Sequence, residues 1–151
     1  MKNLYNQRVV SKTPAGTKKI AEKLAGVILS KHKTKYATVI GLIGELGSGK
    51  TTFAKGFAKG LGIKQIIQSP TFIIARQHSL EHKIFKNFYH IDAYRVGQKD
   101  LVALGWQEWI NNPNDIILVE WADRIYKILP KNSIKIYFET LKNGQRKISL
   151  Q

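Results

Sequence analysis

Residues 44–51 read Gly44-Glu45-Leu46-Gly47-Ser48-Gly49-Lys50-Thr51, which is the pattern of a phosphate-binding loop: a glycine, four residues and then Gly-Lys-Thr. The glycines permit backbone angles that a side chain would forbid, so successive N–H groups can converge on one anion. Lys50 can then reach the β- and γ-phosphates of a nucleotide, and the Thr51 hydroxyl can ligate magnesium. The stretch therefore predicts binding of a nucleoside triphosphate together with Mg2+.

The segments on either side have the secondary structure that such a loop requires. Residues 37–43 are apolar and partly β-branched, as expected of a buried parallel strand. Residues 52–61 place Phe53, Phe57 and Leu61 at helical spacing, and Gly62 can end the helix. Thr52, at the start of that helix, joins the loop residues as a predicted nucleotide contact.

Two acidic residues are predicted to end apolar strands. Asp92 follows the strand-like residues 85–91, and Glu120 follows four apolar residues. The carboxyl end of a strand is the place for a carboxylate that faces bound magnesium, so both are candidate metal-side acids. Glu120 is the better candidate, and either acid could orient or deprotonate the attacking water. His90 is a weaker candidate base and is at least equally well explained as an ordinary hydrogen-bonded strand residue.

The N-terminal part predicts a strand and a helix ahead of the loop. Residues 4–11 can form an edge strand, and Thr13 followed by Pro14 has the pattern of a helix N-cap and first helical residue. The apolar face of this helix is predicted to hold Ile20, Leu24, Val27 and Ile28. A strand-helix-strand order of this kind builds a parallel sheet.

The C-terminal part predicts a hairpin over residues 71–91, a helix over residues 98–110 interrupted at Gly105, and a second hairpin over residues 134–150 with a type I′ turn at Asn143-Gly144. The helix is predicted to bury Val102, Trp106 and either Trp109 or Ile110. The fold class is therefore α/β: a P-loop NTPase-type mixed, largely parallel sheet flanked by helices, with a C-terminal antiparallel hairpin. The loop Ser69-Pro70-Thr71 could sense a γ-phosphate or form an ordinary turn.

Composition limits the class of protein. The 151 residues, 43% of them hydrophobic, suit one domain over residues 1–151, and the lack of cysteine excludes disulfides and thiolate chemistry. No apolar run reaches the ~18 residues that would cross a bilayer, and the first residues lack the apolar core of a signal peptide. We therefore expect a cytoplasmic protein with no membrane partner.

Two other function classes stay open at this point. The net charge of +15 favours an RNA or DNA partner, although only five of the 25 basic residues are arginine and they are scattered. A nucleic-acid-binding module with a regulatory phosphate loop is therefore one alternative. A small-molecule kinase is the other, and the scarcity of arginine for a closing lid disfavours it.

The motifs taken together resemble one family, the bacterial TsaE (formerly YjeE) ATPases needed to form threonylcarbamoyladenosine in tRNA. The matching segments run in the family's order and span residues 8–150: GELGSGKTT, FAKGFAKGLG, SPTF, HIDAYR, the Gly105 region, LVEW and Leu129-Pro130. The phosphate loop alone is generic. The combination of HIDAYR with LVEW at this spacing is far more specific.

The resemblance implies ATP and Mg2+ as cofactors, weak intrinsic hydrolysis, and work with the two companion proteins of the bacterial threonylcarbamoyl-transfer complex. Those companions modify the adenosine beside the anticodon, and the ATPase resets the complex between turnovers; whether tRNA is contacted directly stays open. Carried over by motif, Lys50, Asp92 and Glu120 are the catalytic residues, with Thr51, Glu120 and Asp92 on the magnesium side. Trp121 lies close to the nucleotide, while Thr13 and Arg146 are placed where the family contacts the base.

Overall fold

The computed structural model describes residues 6–31, 34–65 and 74–151. In these residues one sheet holds seven strands: β1 (Arg8–Ser11), β2 (Thr38–Gly44), β3 (Ala75–Ser79), β4 (Asn87–Asp92), β5 (Asp115–Glu120), β6 (Ile134–Thr140) and β7 (Arg146–Leu150). Their order across the sheet is β1-β7-β6-β2-β5-β4-β3. The predicted loop of residues 69–71 lies outside the described residues.

The centre of the sheet is parallel. Strand β2 pairs with β6 on one side and β5 on the other, and β5 pairs in parallel with β4. The pairs β6–β7, β7–β1 and β4–β3 are antiparallel. Within the described chain all strands except β3 and β7 thus point one way, which confirms a mixed, largely parallel sheet. Strand β1 is the predicted edge strand, but it does not adjoin β2 because the C-terminal hairpin lies between them.

Helices cover both faces of the sheet. Their bounds are α1 (Pro14–Leu29), α2 (Lys50–Gly60), α3 (Gln98–Leu104) and α4 (Trp106–Asn111), with a 3₁₀ helix at Ala122–Ile125. No helix among the described residues is long and apolar enough to span a membrane.

Alternation along β5 divides the core into two layers. Successive strand residues point to opposite faces. Ile116 and Leu118 accordingly pack in one cluster with Phe57 of α2, whereas Ile117 packs in the other cluster with Trp106 of α4. The sheet is thus buried on both sides, and the carboxyl ends of its parallel strands form one edge of the molecule.

The local predictions for the helices hold with one exception. The Thr13 side chain accepts a hydrogen bond from the Gly16 N–H at 3.0 Å, so Thr13 is the N-cap of α1 as predicted. The interruption at Gly105 is also confirmed, since this residue has φ of +110° between α3 and α4. The prediction that Val102 is buried was wrong. Leu101 is buried instead, because α3 ends at Gly105 and Trp106 does not continue its helical face.

The turn of the C-terminal hairpin also differs from the prediction. A type I′ turn needs positive φ at both central residues, yet Gly144 has φ of +79° and Asn143 is not in the positive region. The N–H of Gly144 bonds to the Leu141 carbonyl and that of Leu141 to the Gln145 carbonyl. The connection is therefore a longer loop with glycine at its left-handed position, a form that the Asn-Gly pair also suits.

Helices α1 and α2 approach so closely that Gly56 lies against the backbone of α1. A Cβ at Gly56 would be 2.6 Å from the Cα and carbonyl oxygen of Lys18, and backbone cannot move aside as a side chain can. We expect Gly56→Ala to lower the free energy of unfolding by about 1–3 kcal/mol in urea denaturation. Gly26→Ala is the matched control: no atom lies within 4 Å of its Cβ position, so we expect a gain of about 0.4–1 kcal/mol. Equal effects at both sites would contradict this packing argument.

Candidate functional site

The loop between β2 and α2 has the backbone of an anion cradle. Gly47 and Gly49 have φ of +74° and +102°, a region that residues with a side chain rarely adopt. At Gly44 a Cβ would lie 2.7 Å from the Phe138 carbonyl oxygen on β6, so the loop also requires glycine for space. Glycine is thus needed at these three positions for conformation or for close approach. The loop leads directly into the N-terminus of α2, where free N–H groups favour a bound anion.

Lys50 lies under the loop and is 4% exposed. Its ammonium group donates to the carbonyl oxygens of Gly44 at 2.5 Å and Glu45 at 2.7 Å, and the Ser48 hydroxyl lies 3.4 Å away. Burial lowers the pKa of Lys50, an effect that the nearby carboxylates, Glu120 foremost, partly offset. Lys50 is therefore held inside the loop, within reach of any anion that the loop binds.

Thr51 and Glu120 meet across the cleft although 69 residues separate them. The Thr51 hydroxyl donates to Glu120 Oε1 at 2.7 Å. The other carboxylate oxygen, Oε2, lies 2.7 Å from His90 Nε2, and both the histidine and glutamate side chains are buried. Parallel pairing of β2 with β5 brings the end of β5 beside the loop, which is why these groups coincide.

Asp92 lies directly opposite Glu120 in the register of β4 and β5. Its Oδ1 accepts the Tyr94 N–H at 2.9 Å, so the turn after β4 orients the carboxylate. Asp92, Glu120, Lys50 and Thr51 line one cleft of about 460 Å³. The structure thus brings together all the side chains predicted for catalysis and for magnesium.

The oxygen donors of this cleft fit magnesium. Mg2+ prefers oxygen ligands and is commonly held by one or two carboxylates together with substrate phosphates. Thr51 and Glu120 supply a hydroxyl and a carboxylate that already touch, and Asp92 stands beside them. Within the described residues no three acidic, histidine or cysteine side chains gather closely enough to enclose a metal. The donor set therefore suits a metal shared with phosphate.

Trp121 covers the lysine. Its ring centroid lies 3.8 Å from Lys50 Nζ, a cation–π contact. Trp121 has φ of +60°, which is unusual for a bulky residue, and such strained backbone tends to occur at functional sites. Tyr94 packs against Trp121 with 4.8 Å between ring centroids, and Arg124 donates to the Tyr94 carbonyl at 2.7 Å. Together these contacts hold the indole over the loop.

Sequence reasoning missed Tyr94, Arg95 and Arg124 as site residues. Tyr94 and Arg95 line the cleft, and Arg124 holds Tyr94. A signal was present, because Tyr94 and Arg95 closely follow Asp92 and Arg124 follows Trp121 within one helical turn. Residues just past the carboxyl ends of parallel strands are placed to line a ligand crevice.

The predicted base contacts lie on the other side of the loop. A second cavity, of about 130 Å³, is lined by Thr13 and Arg146 together with the loop glycines Gly47 and Gly49. Arg146 donates to the Gly47 carbonyl at 3.0 Å, so the C-terminal hairpin touches the loop directly. Thr52 lines both cavities. Leu46 is 80% exposed at the tip of the loop.

Comparison with known proteins identifies related chains. The family model "Threonylcarbamoyl adenosine biosynthesis protein TsaE" matches residues 11–148. The chain is 37% identical over 136 residues to the tRNA threonylcarbamoyladenosine biosynthesis protein TsaE of Bacillus subtilis, covering 90% of this chain and 79% of that one. It is 30% identical to the Haemophilus influenzae protein of the same name, covering 83% and 78%.

A solved structure shares the fold. The crystal structure of Bacillus subtilis YdiB superimposes with a TM-score of 0.76 at 31% identity, covering 99% of this chain and 87% of that chain. The family match extends over nearly all the elements that build the cleft, from the end of β1 into β7. This chain belongs to the TsaE family.

Proposed function

We propose that this chain acts in the formation of threonylcarbamoyladenosine in tRNA, as a magnesium-dependent ATPase that works with two companion proteins of a threonylcarbamoyl-transfer complex. The names of the TsaE relatives support the pathway. The observation that carries the ATPase is the contact of Thr51 with Glu120 at 2.7 Å beside a glycine loop that encloses Lys50. An anion cradle, a buried cation and a hydroxyl–carboxylate pair are the groups that triphosphate hydrolysis requires.

Each residue then has a distinct task. The loop N–H groups and Lys50 bind the phosphates, while Thr51 and Glu120 hold magnesium. Magnesium, when bound, neutralises charge on the phosphates. Asp92, which faces the same cleft from the adjacent strand, orients the attacking water. Arg146 and Thr13 border the cavity where the base enters.

In this proposal the chain needs no small-molecule phosphate acceptor, because its ATP hydrolysis serves the companion proteins. The purpose of hydrolysis in this proposal is to reset the modification complex between turnovers, so the ATPase is slow without them.

Reconstituted tRNA modification tests the function directly. The two companion proteins, a preformed activated threonylcarbamoyl donor and substrate tRNA are incubated with and without this chain and with and without ATP, and threonylcarbamoyladenosine is counted per tRNA-modifying complex. We expect repeated turnover only when this chain and ATP are both present. Equal multiple-turnover modification without the chain would refute the proposal, and phosphate transfer to an added acceptor would favour a kinase instead.

Trp121 offers a direct signal of nucleotide binding. Its ring touches Lys50 at 3.8 Å, so phosphates that engage Lys50 change the surroundings of the indole. We expect ATP to alter the tryptophan fluorescence of the wild-type protein, and Trp121→Phe to remove most of that change. Trp106, which is fully buried and is not among the described residues that line the cleft, supplies the control: Trp106→Phe lowers total emission but keeps the ATP-dependent change. A response that survives Trp121→Phe would contradict the placement of the phosphates beside Lys50.

A further inference from the structure

We propose that His90 is a positioning residue that holds the carboxylate of Glu120 in the orientation in which Glu120 meets Thr51. The inference rests on the proposed function, because the task of that orientation is magnesium-dependent nucleotide binding. His90 is not among the described residues that line the cleft, but its side chain contacts one that is, Glu120. It acts through Glu120 from the adjacent strand, β4.

The geometry divides the Glu120 carboxylate between two partners. Oε1 accepts from the Thr51 hydroxyl and Oε2 lies against His90 Nε2, each at 2.7 Å. The terminal torsion of a glutamate is broad and roughly two-fold, so a carboxylate held at one oxygen alone can turn. Bonds at both oxygens, from opposite sides, leave a single orientation.

The hydrogen-bond partners of His90 also determine which of its ring nitrogens carries the hydrogen. A carboxylate can only accept, so Nε2 must carry a hydrogen and donate it to Glu120. Within the part of the chain that the structure describes, Nδ1 is buried and has no partner, which suits a nitrogen without hydrogen better than an N–H group. His90 is thus the Nε2–H tautomer, with its one donor directed at Glu120.

Sheet register explains how the two side chains meet. Asp92 pairs with Glu120 and His90 with Leu118, so His90 and Glu120 are diagonal neighbours on one face of adjacent parallel strands. The imidazole continues a stack with Phe88, its centroid 6.3 Å from that ring, and its side chain is 0% exposed. An apolar residue would fill this core position without burying a polar group. Among the described residues, the one hydrogen bond of the His90 side chain is with Glu120, a residue of the site.

The experiment compares His90→Leu with His90→Gln. Glutamine keeps an N–H donor close to the position of Nε2, whereas leucine fills the space without one. The dissociation constant of a non-hydrolysable ATP analogue is measured for each variant in Mg2+ and in EDTA. Loss of a partner that orients a metal ligand costs about 10- to 100-fold in metal affinity. We expect His90→Leu to weaken binding by about that factor in Mg2+ and to leave binding in EDTA unchanged, with His90→Gln close to wild type.

His78→Leu is the matched control. His78 lies on β3, stacks with Phe88 at 6.1 Å between ring centroids, and within the described residues has a similarly unpartnered Nε2. It has no hydrogen bond to Glu120 among the described contacts, so its replacement should not change the ratio of binding in Mg2+ to binding in EDTA.

Two results would overturn the inference. One is a His90→Leu protein with unchanged affinity in Mg2+, and the other is an equal loss in Mg2+ and EDTA, which would mean a general role in the fold. If the leucine variant does not fold, 15N NMR of the wild-type histidine decides: an Nε2–H signal supports the contact and an Nδ1–H signal refutes it. If the wild-type protein binds the ATP analogue equally well in Mg2+ and in EDTA, the proposed function is wrong instead.

Discussion

Replacing Lys50 by alanine is expected to abolish ATP binding. Lys50 is the buried cation of the loop, and its ammonium group is already directed at the carbonyl oxygens of Gly44 and Glu45. Truncating one partner of a buried, charged hydrogen-bonded pair costs about 2–5 kcal/mol, which corresponds to roughly 30- to several-thousand-fold in affinity. Isothermal titration of ATP into the variant measures this loss.

The control for Lys50→Ala is Lys55→Ala. Lys55 lies on the same helix but is exposed to solvent, so it carries an equal charge outside the loop. We expect its removal to change affinity only slightly, because exposed charges are strongly screened. Thermal unfolding of both variants shows whether each is folded. A Lys50→Ala protein that is folded and binds ATP within a few-fold of wild type would overturn the assignment of the loop.

Replacing Glu120 by glutamine is expected to block turnover. Glutamine keeps the size of the side chain but removes its charge, and its NH2 group donates hydrogen bonds but cannot accept them. Either Thr51 or His90 therefore loses its acceptor. Because the proposed metal site loses its buried carboxylate, we expect kcat for ATP hydrolysis to fall by about 10²–10³-fold, the loss typical of a group that stabilises transition-state charge. Phosphate release with saturating ATP measures it.

Glu139→Gln is the matched control for Glu120. This acid lies on β6, where its carboxylate accepts from Lys147 at 2.7 Å, and it is largely exposed. We expect turnover to be unaffected. The Glu120 variant should still bind ATP in EDTA through the loop and Lys50. Turnover within a few-fold of wild type in Glu120→Gln would show that this carboxylate is not a group of the site.

The sequence predicted the local parts of this site well. The loop conformation depends on closely spaced glycines, and Gly47 and Gly49 have the positive φ that the motif implies. The N-cap at Thr13 and the break at Gly105 also depend on a few neighbouring residues. Predictions that depended on how neighbouring segments continue and pack were less accurate. The prediction that Val102 is buried failed because it continued one apolar helical face across the interruption at Gly105. The predicted type of the turn at Asn143 was also wrong.

Residue types and their spacing thus specify the chemical groups: a glycine-rich loop, a lysine, a hydroxyl and two carboxylates at strand ends. Which of these groups touch depends on the packing of the whole chain. The contact of Thr51 with Glu120 spans 69 residues and that of His90 with Glu120 spans 30. Both depend on the parallel pairing of β5 with β2 and β4. Strand order is set by which apolar faces bury one another, a property of the whole core that no local spacing encodes.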